Sequence, residues 1–266
     1  MMNKLILGRY LPGDSWMHRL DARTKFILSM VFIFVIFLAN NVYGYLFAAA
    51  FVGLSIYMTG LGIKVFFDGL KPLAMLMFIT TLLQLFFMNT GTVLFHWWIF
   101  TITTDGVINS VVVFVRFMLI IMFTTILTLT TPPLEVADAM ESLMKPLRKI
   151  GVPVSELALM VSIALRFVPT LMDEAESIMN AQRARGVAFN EGGLIKRAKS
   201  YIPLLIPLFV NAIKRAIELG DAMEARGYRD GEHRTKFRVL QFTKIDGVAF
   251  VAFLIFAIGL YATRFI

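Results

Sequence analysis

The sequence contains no cysteine, few charged residues and only three histidines. The missing cysteine excludes disulfides, thiol catalysis and thiolate metal sites. His18, His96 and His233 fall in separate segments, so we expect no metal site shared among them. The sequence also lacks a glycine-rich phosphate-binding loop, and it therefore predicts no nucleotide site in this chain.

Charged residues make up 17% of the 266 positions, and four long segments have none: 26–63, 72–104, 117–134 and 247–263. Apolar residues make up 58% before glycine is counted, whereas soluble domains contain about 45–50% with glycine included. A bilayer core needs about 20 apolar residues per helical span, and these segments lack the alternation of barrel strands. The sequence therefore predicts an all-α integral membrane protein and excludes a soluble enzyme.

The uncharged segments are predicted to form about five transmembrane helices. Segment 26–63 is too long for one span and is divided by the turn-like pair Asn40–Asn41. The apolar stretches 157–165 and 201–213 are too short to span, and as crossings they would place several basic residues outside. The predicted spans are 24–39, 42–60, 72–88, 107–131 and 246–263.

Basic residues are concentrated in three of the segments that flank the spans. Five lie in the first 25 residues, two in the loop 60–71, and seventeen between residues 134 and 244. The connections at 40–41 and 89–105 have none. By the positive-inside rule, the N-terminus and the long basic segment are predicted to be cytoplasmic and the C-terminus external.

Residues 132–244 are thus predicted to form a cytoplasmic domain. It lies between an N-terminal part (1–131) that holds the first four spans and the last span (245–266). Thr131-Pro132 is typical of a helix start. The apolar periodicity then predicts three amphipathic helices, at 131–150, 154–185 and from Gly193 or Tyr201 to Arg226.

The second and third of these helices each have an apolar face at helical spacing. Pro169 is expected to kink the second helix. The two faces include Leu157, Met160, Val161, Leu171 and Met172 on the second helix, and Ile202, Leu205, Ile206 and Phe209 on the third.

Both helices end in the same sequence, Ala184-Arg185-Gly186 and Ala225-Arg226-Gly227. A glycine after the last turn can adopt the left-handed conformation that stops a helix, which leaves the arginine at a blunt end. The planar guanidinium bonds carboxylates bidentately. The repeat therefore indicates two equivalent contacts, in which each arginine-bearing helix end inserts into a matching site on a partner. The alternatives are ordinary helix ends, where the dipole favours a basic residue, and an internal duplication without a partner.

With these motifs, the chain resembles the transmembrane T component (EcfT family) of energy-coupling factor transporters, which are vitamin and metal importers of the ATP-binding-cassette class. The paired Ala-Arg-Gly motifs carry most of the resemblance. Further matches are Ser15–Lys25 before the first span, Thr130-Thr131-Pro132 after the fourth, and Leu165–Pro169 in the second cytoplasmic helix. The N-terminal pattern usually has proline where this chain has Ala22.

The resemblance implies a non-catalytic scaffold in the cell membrane of a prokaryote. The residues of the two Ala-Arg-Gly motifs would contact two cassette ATPases, identical or different, which bind the ATP and magnesium. The membrane helices and the apolar faces would hold a small membrane protein, the S component, which captures a vitamin and is thought to topple to release it. Membrane lipid is the other expected partner, and nucleic acid is not one.

Three charged residues outside the motifs are also candidates. Arg116 lies within the fourth predicted span, where an arginine is functional by default. Asp105 lies about 16 Å away along the helix, so we expect Arg116 to bond carbonyls of neighbouring helices. Asp21 and Arg23 form either a solvated cluster or a brace for the first span, and the family pattern favours the brace.

Two other function classes are compatible with part of the sequence. A membrane-integral enzyme could use the cytoplasmic arginines to grip a phosphorylated substrate, but it would need convergent acid, base or metal groups. A self-sufficient permease would normally have charged or broken-helix sites at the midplane, where only Arg116 qualifies. Co-purification discriminates among these classes, because a scaffold brings ATPases with it.

Overall fold

The structure is a computed structural model that describes residues 10–88, 90–97, 100–189, 191, 193–228 and 240–265. Most of these residues are helical, which confirms the predicted all-α fold. The α-helices are α1 (Ala22–Val35), α2 (Val42–Thr59), α3 (Ile63–Phe87), α4 (Thr104–Thr130), α5 (Pro133–Met144), α6 (Val154–Ala184), α7 (Leu194–Ser200), α8 (Ile202–Ala225) and α9 (Lys244–Ala262).

A short antiparallel hairpin interrupts the segment that was predicted as the loop 89–105. Its strands are β1 (Val93–Trp97) and β2 (Phe100–Thr103). Short strands of this kind were not predicted, because the local sequence is dominated by aromatic and apolar residues without clear alternation.

The described residues fall into two compact units. One takes its residues from 8–139 and 240–266, and the other from 140–239. We call the first the bundle and the second the α6–α8 unit, and we describe each by itself.

The bundle is held together by aromatic side chains from α1, α2, α4 and α9. The rings of Phe32 and Phe123 stack with centroids 4.2 Å apart, and those of Phe51 and Phe256 with centroids 4.1 Å apart. Phe253 completes this core and, like Phe32, is buried. Stacked rings bury large apolar areas and add about 0.5–1.5 kcal/mol per pair beyond that burial.

The helix α3 differs from its prediction at its start. The loop predicted for residues 60–71 ends at Gly62, and α3 continues from Ile63 through Pro72 to Phe87. A proline removes one N–H donor from a helix interior, and membrane helices tolerate this loss better than soluble ones. The prediction of a loop up to Lys71 was therefore wrong, because Lys64 and Lys71 belong to the first turns of the helix.

Five helices of the described residues are long and apolar enough to span a membrane, namely α2, α3, α4, α6 and α9 with its last turn. The number agrees with the prediction, but the set differs. The first predicted span, 24–39, falls short because α1 has 14 residues and gives way to a 3₁₀ turn at Ile36–Leu38. The helix α6 enters the set through its N-terminal part, while its later turns contain Asp173, Glu174 and Glu176.

In the α6–α8 unit, the third predicted helix is present as two pieces. The sequence left its start open between Gly193 and Tyr201, and the structure has α7 beginning after the first and α8 after the second. The more buried side of α8 faces α6 and contains Leu204, Leu208, Asn211, Arg215 and Leu219.

Candidate functional site

The first Ala-Arg-Gly motif forms the C-terminus of α6. Ala184 is the last helical residue, Arg185 is the C-cap, and Gly186 has a φ of 87°. The Val187 N–H donates to the Gln182 carbonyl at 3.0 Å, and the Gly186 N–H donates to the Arg183 carbonyl at 2.9 Å. This pair of bonds is a Schellman motif, which satisfies carbonyls that a helix end otherwise leaves free.

The second motif ends α8 in the same way. Gly227 has a φ of 77°. The Tyr228 N–H donates to the Met223 carbonyl at 3.0 Å, and the Gly227 N–H donates to the Glu224 carbonyl at 2.8 Å. Both glycines therefore adopt the predicted left-handed conformation, and Arg226 occupies the same C-cap position as Arg185.

The helix-ending geometry alone does not distinguish these two ends from others. Gly151 ends a 3₁₀ turn with a φ of 87° and matching bonds to the carbonyls of Arg148 and Leu147. The difference lies in the residue before the glycine, which is Ile150 there and an arginine in the two motifs. Arg185 and Arg226 are exposed, and neither guanidinium has an ion pair with the described residues.

The predicted apolar faces are open in the α6–α8 unit. The exposed fraction is 67% for Phe209 and 63% for Met160, while Leu171 and Met172 are half-buried. A shallow apolar groove runs beside Leu171 on α6 and Phe209 on α8. The exposed members of the predicted faces are Leu157, Met160 and Val161 on α6, and Ile202, Leu205, Ile206 and Phe209 on α8.

A polar junction joins α6 and α8, and the sequence argument did not identify it. The Glu174 carboxylate accepts a hydrogen bond from the Asn211 amide and lies 3.7 Å from the Arg215 guanidinium. The guanidinium also lies over the Phe167 ring, 5.6 Å from its centroid. The spacing of Asn211 and Arg215, one turn apart on the same side of α8 as Leu204, was the available signal.

The junction is incompletely satisfied. One oxygen of Glu174 and one terminal nitrogen of Arg215 are buried without a hydrogen-bond partner in the described part of the chain. Buried polar atoms without partners cost about 1–3 kcal/mol each. Pro169, which was expected to kink α6, lies inside this helix two residues after Phe167.

The chain after the first motif packs back onto the α6–α8 unit. Phe189 is buried, and its ring lies 5.4 Å from that of Tyr201 at the junction of α7 and α8. The Arg183 guanidinium lies 5.9 Å from the Phe189 centroid. These contacts fix the segment that leaves the end of α6.

Asp21 and Arg23 lie at one end of the bundle. Asp21 is the N-cap of α1, accepts from the Arg23 N–H at 2.8 Å, and forms an ion pair with the Arg23 guanidinium at 3.0 Å. The Asp21 N–H donates to the Asp246 carboxylate at 2.8 Å, and Asp246 forms the capping box of α9 with Thr243. These contacts join the starts of α1 and α9.

Lys25 adds the end of α4 to the same cluster. Its ammonium is buried and donates to the carbonyls of Thr130 at 3.0 Å and His18 at 3.3 Å, and to the Thr131 hydroxyl at 3.1 Å. A cation is favoured at a helix C-terminus, and α4 has no basic residue in its own last turn. The starts of α1 and α9 and the end of α4 therefore lie together.

Arg116 lies on α4 and has different partners from those expected. Its Nε and one terminal nitrogen donate to the Tyr45 hydroxyl at 3.0 and 2.6 Å. Its guanidinium also lies 4.6 Å from the centroid of the Phe37 ring. The expected bonds to backbone carbonyls are not present among the described residues, because the α1–α2 connection brings these two aromatic rings to α4.

The described residues contain no cluster of three or more histidine, aspartate or glutamate side chains that could hold a metal ion. His233 lies outside those residues.

Comparison with known proteins gives consistent matches. The family model described as "cobalt transport protein" (CbiQ) matches residues 13–237. The "energy-coupling factor transporter transmembrane protein EcfT" of Lactobacillus helveticus is 54% identical over 98% of this chain and 94% of its own length. The protein of that name from Leuconostoc gelidum is 53% identical over 99% and 98%. In Listeria monocytogenes, "EcfT 1" is 47% identical over 99% of both chains.

Proposed function

The chain belongs to the EcfT family of energy-coupling factor transporter transmembrane proteins, and on that premise we propose that it is the scaffold that couples ATP hydrolysis to substrate release. In this proposal, two cassette ATPases bind the arginine-bearing ends of α6 and α8. A membrane-embedded S component, which captures a vitamin, binds the apolar faces of the same helices. The chain itself carries out no chemical reaction.

One observation carries the proposal: α6 and α8 end in the same Schellman motif, and each presents an exposed arginine at the same position. An arginine that served only the helix dipole would not need to recur in the same cap geometry on two helices. A guanidinium that has no carboxylate partner among the described residues can donate to one from outside in bidentate geometry. Acidic groups in a groove of each ATPase would supply it.

The apolar faces support the second contact of the scaffold. Exposed Met160 on α6 and Phe209 on α8 belong to faces that no described residue of the α6–α8 unit covers. Large contiguous apolar surfaces mark protein or membrane interaction sites. Movement of the two arginine ends, driven by ATP-dependent closure of the ATPases, would pass along the rigid helices to these faces and to the S component, which would topple and release its substrate.

The proposed orientation follows from the charge distribution, with the N-terminus and the α6–α8 unit in the cytoplasm of a prokaryotic cell. The cluster around Lys25 supports placing the start of α1, the end of α4 and the start of α9 on the same side of the membrane, because they lie together at one end of the bundle. In this proposal α1 and its 3₁₀ turn cross the membrane, whereas α6 lies at its cytoplasmic surface. Because the chain has no cysteine, Lys199→Cys in intact cells tests this: an impermeant maleimide should not label it.

The coupling role is tested with Arg185→Ala, Arg226→Ala and the double variant in reconstituted vesicles. Truncating one member of a desolvated charge pair costs about 2–5 kcal/mol, so each single variant should assemble but transport poorly. The double variant should lose the ATPases or leave their hydrolysis uncoupled, because separated effects add. Arg→Lys should not fully restore uptake, because lysine lacks the fork. Near-native uptake by the double variant with a full ATPase complement would refute the coupling role.

A further inference from the structure

Arg116 is a cation in the apolar part of the bundle, and no anion among the described residues pairs with it. Two of its nitrogens donate to the neutral Tyr45 hydroxyl, and its flat face lies on Phe37. No carboxylate forms an ion pair with it among the described residues. An arginine in hydrocarbon is unfavourable unless it is paired or reaches the polar interface.

The remaining terminal nitrogen of Arg116 is the part of the side chain that can bind a further group. It has no hydrogen bond to the described residues, yet it is not among their buried unpartnered atoms. The neighbouring Phe37 ring is 55% exposed. The guanidinium is therefore held in a fixed orientation at the surface of the bundle, with one donor edge open.

The depth of this site can be measured along α4. Arg116 precedes Thr130, whose carbonyl bonds Lys25, by fourteen positions, which corresponds to about 21 Å of helix at 1.5 Å per residue. The hydrocarbon core is about 30 Å thick. If the charged cluster around Lys25 marks one boundary, Arg116 lies well into the opposite leaflet.

The two partners of Arg116 draw its side chain further in the same direction. Phe37 belongs to the 3₁₀ turn that ends α1, and Tyr45 belongs to the first turn of α2. The chain reverses between them at Asn40–Asn41, where the polar side chains indicate the edge of the apolar layer. Arginine side chains near such an edge extend toward the headgroups.

We propose that Arg116, positioned by Tyr45 and Phe37, binds the phosphate of a phospholipid in the leaflet opposite the Lys25 cluster. Phosphate is the anion that a bilayer supplies at the headgroup edge toward which this side chain extends, and the guanidinium fork matches its geometry. The site would hold one lipid against the α1–α2 connection and α4. Only the identity of the leaflet as the outer one rests on the proposed orientation of the chain.

The test is lipid binding to the purified transporter complex, and to the isolated chain, measured by native mass spectrometry after delipidation. Phosphatidylglycerol is titrated against a diglucosyl diacylglycerol with the same acyl chains, which has no phosphate. The variants are Arg116→Gln and Tyr45→Phe. The matched control is Arg264→Gln, because Arg264 is an exposed arginine after α9 and no aromatic ring lies against its guanidinium among the described residues. Thermal unfolding in detergent confirms that each variant is folded.

We expect Arg116→Gln to weaken the tightest phosphatidylglycerol site by at least about tenfold, because a hydrogen bond to a charged group contributes about 1.5–3 kcal/mol. Tyr45→Phe should weaken it less, and Arg264→Gln and all glycolipid affinities should be unchanged. Equal phosphatidylglycerol binding by Arg116→Gln and the wild type would overturn the proposal. An equal loss of glycolipid would show that only acyl chains are bound. Loss of a protein subunit instead of lipid would assign the partner as a carboxylate of another chain.

Discussion

The bundle and the α6–α8 unit differ in how completely their buried charged groups are hydrogen-bonded. In the bundle, the Lys25 ammonium has three oxygen partners, Asp21 and Asp246 cap α1 and α9, and the Asp246 carboxylate also accepts from the Asp21 N–H. In the α6–α8 unit, Glu174 and Arg215 each keep a buried atom without a hydrogen-bond partner among the described residues. At the described end of the bundle the charged groups are hydrogen-bonded and the Thr24 hydroxyl is a buried atom without a partner, whereas in the α6–α8 unit the unpartnered atoms belong to the charged pair itself.

The two units also expose apolar surface for different reasons. The helices of the bundle expose apolar side chains mainly along segments that lack charge, as expected for contact with lipid. The helices α6 and α8 expose them beside charged positions and end in exposed arginines. Exposure alone does not separate lipid from a protein partner, but the neighbouring charges do. In the proposed function, the bundle therefore supplies stability and the α6–α8 unit binds the partners.

The strongest way to break this comparison is to remove the centre of the bundle cluster. Lys25→Met should lower the free energy of unfolding by about 2–4 kcal/mol, because it leaves buried acceptors on Thr130, Thr131 and His18 without their donor. The measurement is thermal unfolding of the purified chain in detergent. The control is Lys71→Met, since Lys71 is exposed and its pair with Asp68 lies at the surface. Equal effects of the two substitutions would contradict the assigned role of the cluster.

A second prediction concerns the open face of α8. Phe209→Asp should reduce retention of the S component by more than about tenfold, because contact would bury an unpaired carboxylate. The ATPases should remain bound. Lys214→Asp places a carboxylate on the same helix about 140° away and serves as the control. Quantitative co-purification of the S component and the ATPases measures the effect. Equal loss of the S component from Phe209→Asp and Lys214→Asp would contradict the assignment of this face to the S component.

The smallest expected effect is at the polar junction. Arg215→Met should cost about 1–3 kcal/mol, because it leaves the Glu174 carboxylate with Asn211 alone. The double variant Glu174→Gln/Arg215→Met should cost less than this single variant, since the glutamine amide oxygen can still accept from Asn211 without a stranded charge. Thermal unfolding of the two variants decides it, and a double variant less stable than the single one would contradict the description of the junction.

The sequence could predict the helices and the ends of α6 and α8, because these depend on local signals. The apolar period and the glycine after each arginine are sufficient to predict Arg185 and Arg226 at blunt helix ends. The exposed faces around Met160 and Phe209 could be predicted in the same way. The start of α3 could not be predicted, since the segment around Lys64 and Lys71 has the composition of a loop. Only the packing of the chain makes this segment helical.

The contacts of buried charges could not be predicted from the sequence, because their partners are distant in the chain. Nothing near Lys25 identifies Thr130 as its acceptor, and nothing near Arg116 identifies Tyr45. Glu174 and Arg215 lie on helices whose apolar stripes were clear, yet the pairing depends on how α6 and α8 pack. The two arginine-bearing helix ends can be recognised as a matching pair from local sequence alone, whereas the polar contacts between helices are seen only in the structure.

The central claim is that ATPases cover the two arginine ends, and cysteine accessibility tests it most directly. Ala184→Cys and Ala225→Cys are each labelled with a maleimide in the isolated chain and in the complex with ATPases, with Lys199→Cys on α7 as the exposed control. Both motif positions should react at least about tenfold more slowly when the ATPases are bound, because a packed contact excludes water and reagent, while position 199 should react at the same rate. Equal labelling of positions 184 and 225 with and without the ATPases would contradict the claim.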